Sequence, residues 1–135
     1  MCGIVGLFLK NPKLDNTLGS LLTPMLAEMT ERGPDSAGFA VYGPKPPQNR
    51  FKLTLLATEI VDWPTISSDI ELLLEKNVEY YEQADHAVFV LPEEEPKIRE
   101  FLAVQYPSLH ITSAGRRLEV FKPVSYTHLT LPTKA

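Results

Sequence analysis

The sequence predicts an α+β protein in which strands and helices follow one another without an internal repeat. Three observations support this fold class. Some apolar residues cluster or alternate in short runs typical of strands, others recur at the three- and four-residue spacing of helices, and prolines and glycines separate the two kinds of segment. With 135 residues, 44% of them hydrophobic, the chain is long enough to bury the core of one domain.

The first third of the chain predicts the order strand, helix, strand. Residues 3–9 form an apolar run with β-branched residues and two glycines, which predicts a buried strand. Pro24 lies within the helical pattern that follows and allows two interpretations, either a kinked helix or a shorter helix that Thr23 caps. Residues 37–42 predict a second buried strand. The apolar stripe of the helix comprises Leu18, Leu21, Leu22, Met25, Leu26 and Met29.

The rest of the chain predicts a second unit, beyond a proline-rich linker at 44–50. Its predicted order over residues 51–112 is β-α-β-β-α-β, which is the split βαβ or ferredoxin-like unit. A return strand follows at 117–121. The predicted strands of the unit span 51–58, 78–83, 86–91 and 109–112, and its helices span 63–76 and 92–106. The division is therefore 1–43, a linker at 44–50, and 51–124.

The tail at 125–135 departs from this pattern. Its alternating residues are compatible with a half-buried strand. It also resembles a tail found at the ends of truncated, unrelated environmental reading frames, where sequencing-adapter DNA has been translated. We interpret it as non-native sequence, which places the end of the native chain near Val124.

Charge and hydropathy exclude several classes of protein. The net charge of -4, with acidic and basic residues interspersed, argues against nucleic-acid binding. No run of 18 apolar residues predicts a membrane span, and no basic segment precedes the first apolar run as in a signal peptide. A single cysteine suits a reducing compartment, so a cytoplasmic location without membrane contact is expected.

That cysteine, Cys2, is the first candidate for chemistry. If Met1 is removed, Cys2 carries both a thiol and a free α-amine, whose reference pKa of about 7.7–8.0 suits a general base. One residue then supplies the nucleophile and its base. The alternative is a buried thiol that acts as a small hydrophobic side chain.

The second candidate is the segment at 32–38, Arg-Gly-Pro-Asp-Ser-Ala-Gly. Arg32 offers a rigid fork of donors, Gly33 allows close backbone approach, and Asp35 can bond nearby backbone groups. The alternative is an ordinary helix C-terminus followed by an Asx-type turn.

Together, Cys2-Gly-Ile-Val-Gly and this segment resemble the class II glutamine amidotransferases, which are N-terminal-nucleophile hydrolases. The match covers residues 2–43, and 44–124 resembles the inserted region of small glutamate-synthase-like members. The resemblance implies an αββα sandwich, of which this chain holds the first strand, helix and second strand, with a ferredoxin-like insert. It identifies Cys2 as the nucleophile and Arg32, Gly33 and Asp35 as a turn that supports it.

The same resemblance implies a reaction and a partner. Glutamine is hydrolysed to glutamate and ammonia without a metal or cofactor. The ammonia passes to a glutamate-synthase-like partner, for which a flavin-containing subunit is one candidate.

The chain departs from the family in its substrate motifs. Family members bind the glutamine carboxylate with an Arg-X-Ala-Thr segment and form the oxyanion hole with Asn-Gly. Here Arg99, Arg116 and Arg117 are not followed by Ala-Thr or Ala-Ser, and Asn-Gly does not occur. Loss of one oxyanion-hole donor typically costs about 10²–10³ in rate. We therefore expect this chain to be inactive and truncated, with the missing motifs beyond Val124.

Other interpretations remain open at this point. His86, His110 and His128 lack metal-ligand spacing and are expected to be ordinary strand or loop residues, so no metal site is predicted. The ferredoxin-like unit can act instead as a small-ligand-binding or dimerisation module. A third alternative is a fragment without function.

Overall fold

The computed structural model describes residues 3–32, 37–92 and 95–122. A 3₁₀ helix at Pro12–Thr17 precedes the regular elements. Within these ranges the helices are α1 (Leu18–Glu28), α2 (Trp63–Leu74) and α3 (Glu95–Gln105). The strands are β1 (Phe39–Tyr42), β2 (Arg50–Ala57), β3 (Glu79–Gln83), β4 (His86–Pro92), β5 (Leu109–Gly115) and β6 (Leu118–Phe121).

The described strands form two antiparallel sheets. Four of them pair in the order β3-β4-β2-β5, and β1 pairs with β6 in a separate two-stranded sheet. The element order β2-α2-β3-β4-α3-β5 is the predicted one. Mixed helices and antiparallel sheets confirm the α+β class.

The main core packs one face of the four-stranded sheet against α2 and α3. Every second residue of β2 and β4 faces this core, as the two-residue period of a strand requires. Trp63 and Tyr80 pack against Phe89 in this core, with ring centroids 6.2 and 5.1 Å from that of Phe89. The fully buried centre comprises Leu53, Leu55, Ile70, Ala87, Phe89, Leu91 and Ile98.

The opposite face of the four-stranded sheet meets the two-stranded sheet. The Phe121 ring stacks on Phe39 at 5.0 Å and meets the buried His86 ring edge-on at 5.4 Å. Val88 of β4 belongs to the same apolar cluster as Phe39 and Phe121, together with Leu22 of α1. Strands on both sides of the predicted linker therefore share one packed region.

Pro24 lies inside a continuous α1, so the capped, shorter helix is the wrong alternative. The Thr23 hydroxyl donates to the Gly19 carbonyl at 2.7 Å, a bond to the preceding turn rather than an N-cap. The cap belongs to the 3₁₀ helix, where Asn11 Oδ1 accepts from the Lys13 N–H at 3.1 Å.

The prediction of a buried strand at residues 3–9 is wrong. These residues form no strand pairing with the rest of the described chain, and Ile4 and Phe8 are 94% and 83% exposed. Exposure nevertheless alternates along the segment, and Leu7 packs against the Phe39–Phe121 cluster. A strand requires a hydrogen-bonded neighbour, and an apolar run alone does not supply one.

We predict that hydrogen exchange separates two parts of the N-terminal region. Backbone amides at 3–9 should exchange rapidly because they have no ladder partner, whereas those of β1 should be protected by pairing with β6. Peptide-resolved exchange mass spectrometry measures both, with β2 as the protected reference. Equal, strong protection of 3–9 in a monomer would contradict the unpaired arrangement.

No helix in the described ranges combines the length and apolar character needed to cross a bilayer.

Candidate active site

Beyond the end of α1 the chain continues in tight turns that include Arg32. The Thr30 N–H donates to the Ala27 carbonyl at 3.1 Å, and the Arg32 N–H donates to the Met29 carbonyl at 3.0 Å. These bonds span three residues, as in a 3₁₀ turn, in which side chains three positions apart lie above one another. Met29 and Arg32 therefore project from the same side of the turn.

Gly3 lies against both of these side chains. A Cβ at Gly3 would lie 3.0 Å from Met29 Sδ and 3.2 Å from Arg32 Cβ, closer than an ordinary van der Waals contact. Gly3 is bonded to Cys2 in sequence, so the fold brings the start of the chain to the Arg32 end of α1. Gly3 and Arg32, which are described residues of the two segments singled out in the sequence, are adjacent in space.

The predicted site residues are only partly described. Arg32 is exposed and uses its backbone N–H in the turn. Cys2, Gly33 and Asp35 lie outside the described residues, so their predicted roles stay predictions.

A groove of about 760 Å³ lies between residues 5–9, α1 and β1. Its lining is mostly apolar and includes Leu7, Leu22 and Phe39. Asp15 and Arg117 are the charged residues along it, and Arg117 Nε already donates to the Gly43 carbonyl at 3.2 Å. The groove thus offers apolar surface rather than a polar clamp for both charged ends of an amino acid.

Two of the arginines considered as substrate ligands have structural contacts. Arg116 Nη2 donates to the Pro46 carbonyl at 3.3 Å, and Arg117 exchanges bonds with Gly43. They hold the segment after β1 against the start of β6. These structural contacts agree with the sequence, in which neither arginine is followed by the Ala-Thr of the carboxylate-binding motif.

A buried ion pair joins the two sheets, and sequence reasoning missed it. Lys52 Nζ of β2 lies 2.8 Å from Glu119 Oε2 of β6, and both side chains are almost inaccessible. The Tyr81 hydroxyl donates to Glu119 Oε1. A Cβ at Gly43 would overlap this pair, lying 2.7 Å from Lys52 Nζ, so a larger residue there would displace the two charged groups. The sequence feature that could have indicated the pair is Lys52 itself, which lies between the apolar residues Phe51 and Leu53 of a strand.

His86 is a buried strand residue, in agreement with the sequence interpretation. Its Nε2 accepts from the Lys122 N–H at 2.9 Å, and its Nδ1 lies 2.9 Å from Asp85 Oδ1. Burial lowers the pKa of His86 because it disfavours the charged imidazolium, while Asp85 opposes the shift. His110 is exposed on β5, and His128 lies outside the described residues.

No group of three or more histidine, cysteine, aspartate or glutamate residues able to hold a metal occurs within the described ranges. Both ring nitrogens of His86 contact other protein groups, the Lys122 N–H and the Asp85 carboxylate.

Comparison with known proteins gives two informative relatives. The chain is 38% identical over 127 residues to the glutamine amidotransferase-like protein GlxB of Rhizobium meliloti (strain 1021), an alignment covering 92% of this chain and 41% of that protein. It is 54% identical over 43 residues to a protein of Methanothermobacter thermautotrophicus named as a glutamine amidotransferase, covering 32% of this chain and 14% of the relative. No protein-family model and no solved structure matches the chain.

The chain is therefore similar to glutamine amidotransferase-like proteins. It spans 41% of the length of the Rhizobium relative.

Proposed function

We propose that this chain is the N-terminal part of a class II glutamine amidotransferase whose nucleophile is Cys2. The observation that carries the proposal is the contact of Gly3 with the Met29 and Arg32 side chains. Gly3, which follows Cys2 in the sequence, lies against Arg32, and this contact supports a nucleophile held by the segment that begins at Arg32. The names of both relatives support the same general activity.

In the proposed reaction the Cys2 thiolate attacks the side-chain amide carbon of glutamine. The carbon–nitrogen bond breaks, ammonia leaves with a proton supplied by the α-amine of Cys2, and a glutamyl thioester remains. Water then hydrolyses the thioester, which releases glutamate and restores the thiol. Arg32, Gly33 and Asp35 support the nucleophile without contacting the reacting atoms.

The proposal extends to the architecture of the longer protein. The sheet order β3-β4-β2-β5 supports a ferredoxin-like insert, and the β1–β6 pair supports its placement between two strands of an αββα sandwich. The substrate clamp and oxyanion hole would follow Val124. The ammonia acceptor would be a cytoplasmic, glutamate-synthase-like partner.

The test compares this chain with a version extended by its authentic downstream sequence. The 135-residue chain should release ammonia from glutamine no faster than its Cys2→Ala variant, because it lacks the oxyanion donors. The extended protein should be active, and Cys2→Ala should remove that activity. Intact mass spectrometry of the active protein should show that Met1 is absent, since an acylated amine cannot act as the base.

Two results would reject the proposal. One is Cys2-independent hydrolysis by the extended protein. The other is full activity in a preparation that quantitatively retains Met1. A control at the exposed His110, His110→Gln, should leave the rate of the extended protein unchanged.

The second candidate is a binding or dimerisation module built on the four-stranded sheet. The observation favouring it is that this sheet and its two helices enclose a complete core without residues 3–32. An inert extended protein, together with ligand binding or self-association retained by residues 44–124, would favour this candidate.

A further inference from the structure

We propose that His86 and the Lys122 N–H form a proton-sensitive latch, hereafter the His86 latch, between the four-stranded sheet and the end of β6. A neutral His86 ring keeps the latch closed, and a protonated ring opens it. The latch is a conformational device of the fold and does not depend on the proposed activity of Cys2.

The closed latch joins strands that belong to different sheets. His86 begins β4, and Lys122 directly follows β6, which pairs with β1. His86 Nε2 accepts from the Lys122 N–H at 2.9 Å, and the His86 side chain is 1% exposed. Lys122 contributes its backbone, since its side chain is exposed. Phe121 meets the ring edge-on at 5.4 Å, so one polar and one apolar contact hold the same end of β6.

The hydrogen bond from Lys122 requires a neutral ring. An imidazole nitrogen that accepts a hydrogen bond carries no proton, so the neutral ring of His86 holds its proton on Nδ1. Protonation adds a second proton at Nε2, because both nitrogens of an imidazolium are donors. That proton would then point at the Lys122 N–H, and the hydrogen bond would be replaced by two donors facing each other.

Asp85 offers the protonated ring a different partner. Asp85 Oδ1 lies 2.9 Å from His86 Nδ1, and it is buried with no aligned hydrogen-bond donor among the described residues. In the closed latch burial outweighs this carboxylate and holds the pKa of His86 below its ordinary value. Opening admits water to the ring and leaves the imidazolium beside Asp85, so each protonation state has its own partner.

The other groups around the ring do not titrate. Leu56 of β2 and Gln83 of β3 lie opposite His86 in the sheet, and Phe121 lies against the ring from β6. Over the ranges that the structure describes, the Asp85 carboxylate is therefore the charged side chain placed against the ring.

The end of β6 and the start of β1 should loosen together when the latch opens. A Cβ at Gly38, just before β1, would lie 3.2 Å from the Phe121 carbonyl oxygen and 3.6 Å from Lys122 Cγ. The Phe39 ring stacks on Phe121 at 5.0 Å. The buried ion pair near the start of β6 is not part of the latch. We therefore expect a local opening rather than separation of the two sheets.

The test is native-state hydrogen exchange of the 135-residue protein, measured by mass spectrometry at about pH 7.5 and about pH 5.5 with and without sub-denaturing urea. An exposed histidine has a pKa of about 6.5, so the open population should rise by at least about threefold and at most about tenfold over this range. Rates are corrected for the intrinsic pH dependence of exchange. The peptide at 118–122 should show this rise with little urea dependence, because a local opening exposes little surface.

The peptide covering β2 is the internal reference, and its exchange should accelerate with urea because it requires global unfolding. If 118–122 exchanges with the same rates and urea dependence as β2, no local opening exists and the latch is overturned. Exchange at 118–122 that is faster than that of β2 but independent of pH would overturn it as well.

His86→Gln and His110→Gln are the matched variants. His86→Gln keeps a neutral acceptor near the Lys122 N–H and should abolish the pH dependence at 118–122, whereas His110→Gln, at an exposed histidine, should retain it. Equal pH dependence in the wild type and in His86→Gln would overturn the proposal.

A second measurement applies if His86→Gln does not fold by circular dichroism. In NMR spectra of the wild type, the His86 ring and the Lys122 amide should titrate with one shared midpoint. Titration of the ring with an unchanged Lys122 amide would overturn the latch. Neither measurement requires glutamine turnover, so the latch and the proposed function are tested separately.

Discussion

Replacing Lys52 with methionine is expected to lower the free energy of unfolding by about 3–5 kcal/mol. The substitution leaves Glu119 buried between the two sheets without its cation, and a single hydroxyl donor from Tyr81 does not compensate a buried carboxylate. Urea unfolding followed by circular dichroism, with Trp63 fluorescence as a second probe, measures the change. Among the single substitutions considered, this one should have the largest effect on stability.

The double variant Lys52→Met/Glu119→Leu provides the decisive comparison. Removing both charges should restore much of the lost stability, because the buried pair is replaced by apolar side chains of similar size. Lys122→Met, at an exposed lysine directly after β6, is the matched single control and should change stability by less than about 0.5 kcal/mol. A Lys52→Met protein as stable as the wild type would show that the pair is solvated in solution.

Acidification should destabilise the protein through His86. The neutral imidazole accepts from the Lys122 N–H, and burial holds the pKa of His86 below its ordinary value of 6.5. The unfolded chain therefore binds a proton more readily than the native state. Stability contributed by neutral His86 is present above about pH 6.5 and is lost as pH falls below it, with a slope of at most about 1.4 kcal/mol per pH unit from this group.

The measurement is the urea midpoint of unfolding at a series of pH values between 7.5 and 5, a range of about two and a half units around the ordinary histidine pKa. His86→Gln removes the titrating group while keeping an acceptor near the Lys122 N–H, and it should flatten this part of the profile. His110→Gln, at the exposed histidine of β5, should not. Equal slopes in the wild type and in His86→Gln would assign the acid sensitivity to other groups.

Local patterns in the sequence were sufficient to predict most of the regular elements. The alternating apolar residues of β2 and the helical spacing of Ile66 and Ile70 identify the faces that pack in the main core, because each pattern depends on one face of one element. The same information could not predict pairing. Residues 3–9 have the composition of a buried strand, but whether a strand forms depends on a neighbour elsewhere in the chain.

At the candidate site, too, the sequence predicted local features but not contacts between distant residues. The residue types of Cys2 and Arg32 indicated nucleophilic chemistry, and the apolar stripe placed Met29 on the helix. Nothing in the spacing revealed that Gly3 packs on the turn after α1, since that contact depends on how the helix end and the chain start meet. The ion pair of Lys52 and Glu119 could not be predicted for the same reason, since the two residues are 67 positions apart in the sequence.

Two hydrogen bonds between Gly43 and Arg117 hold distant parts of the sequence together. The Gly43 N–H donates to the Arg117 carbonyl at 2.9 Å, although the residues are 74 positions apart. The two ends of the segment at 44–116 are therefore close together. A short turn could join Gly43 to Arg117, and the segment between them could then be excised or exchanged. Removing the unit also removes Lys52 and leaves Glu119 without its cation, so the shortened chain would need an uncharged residue at position 119.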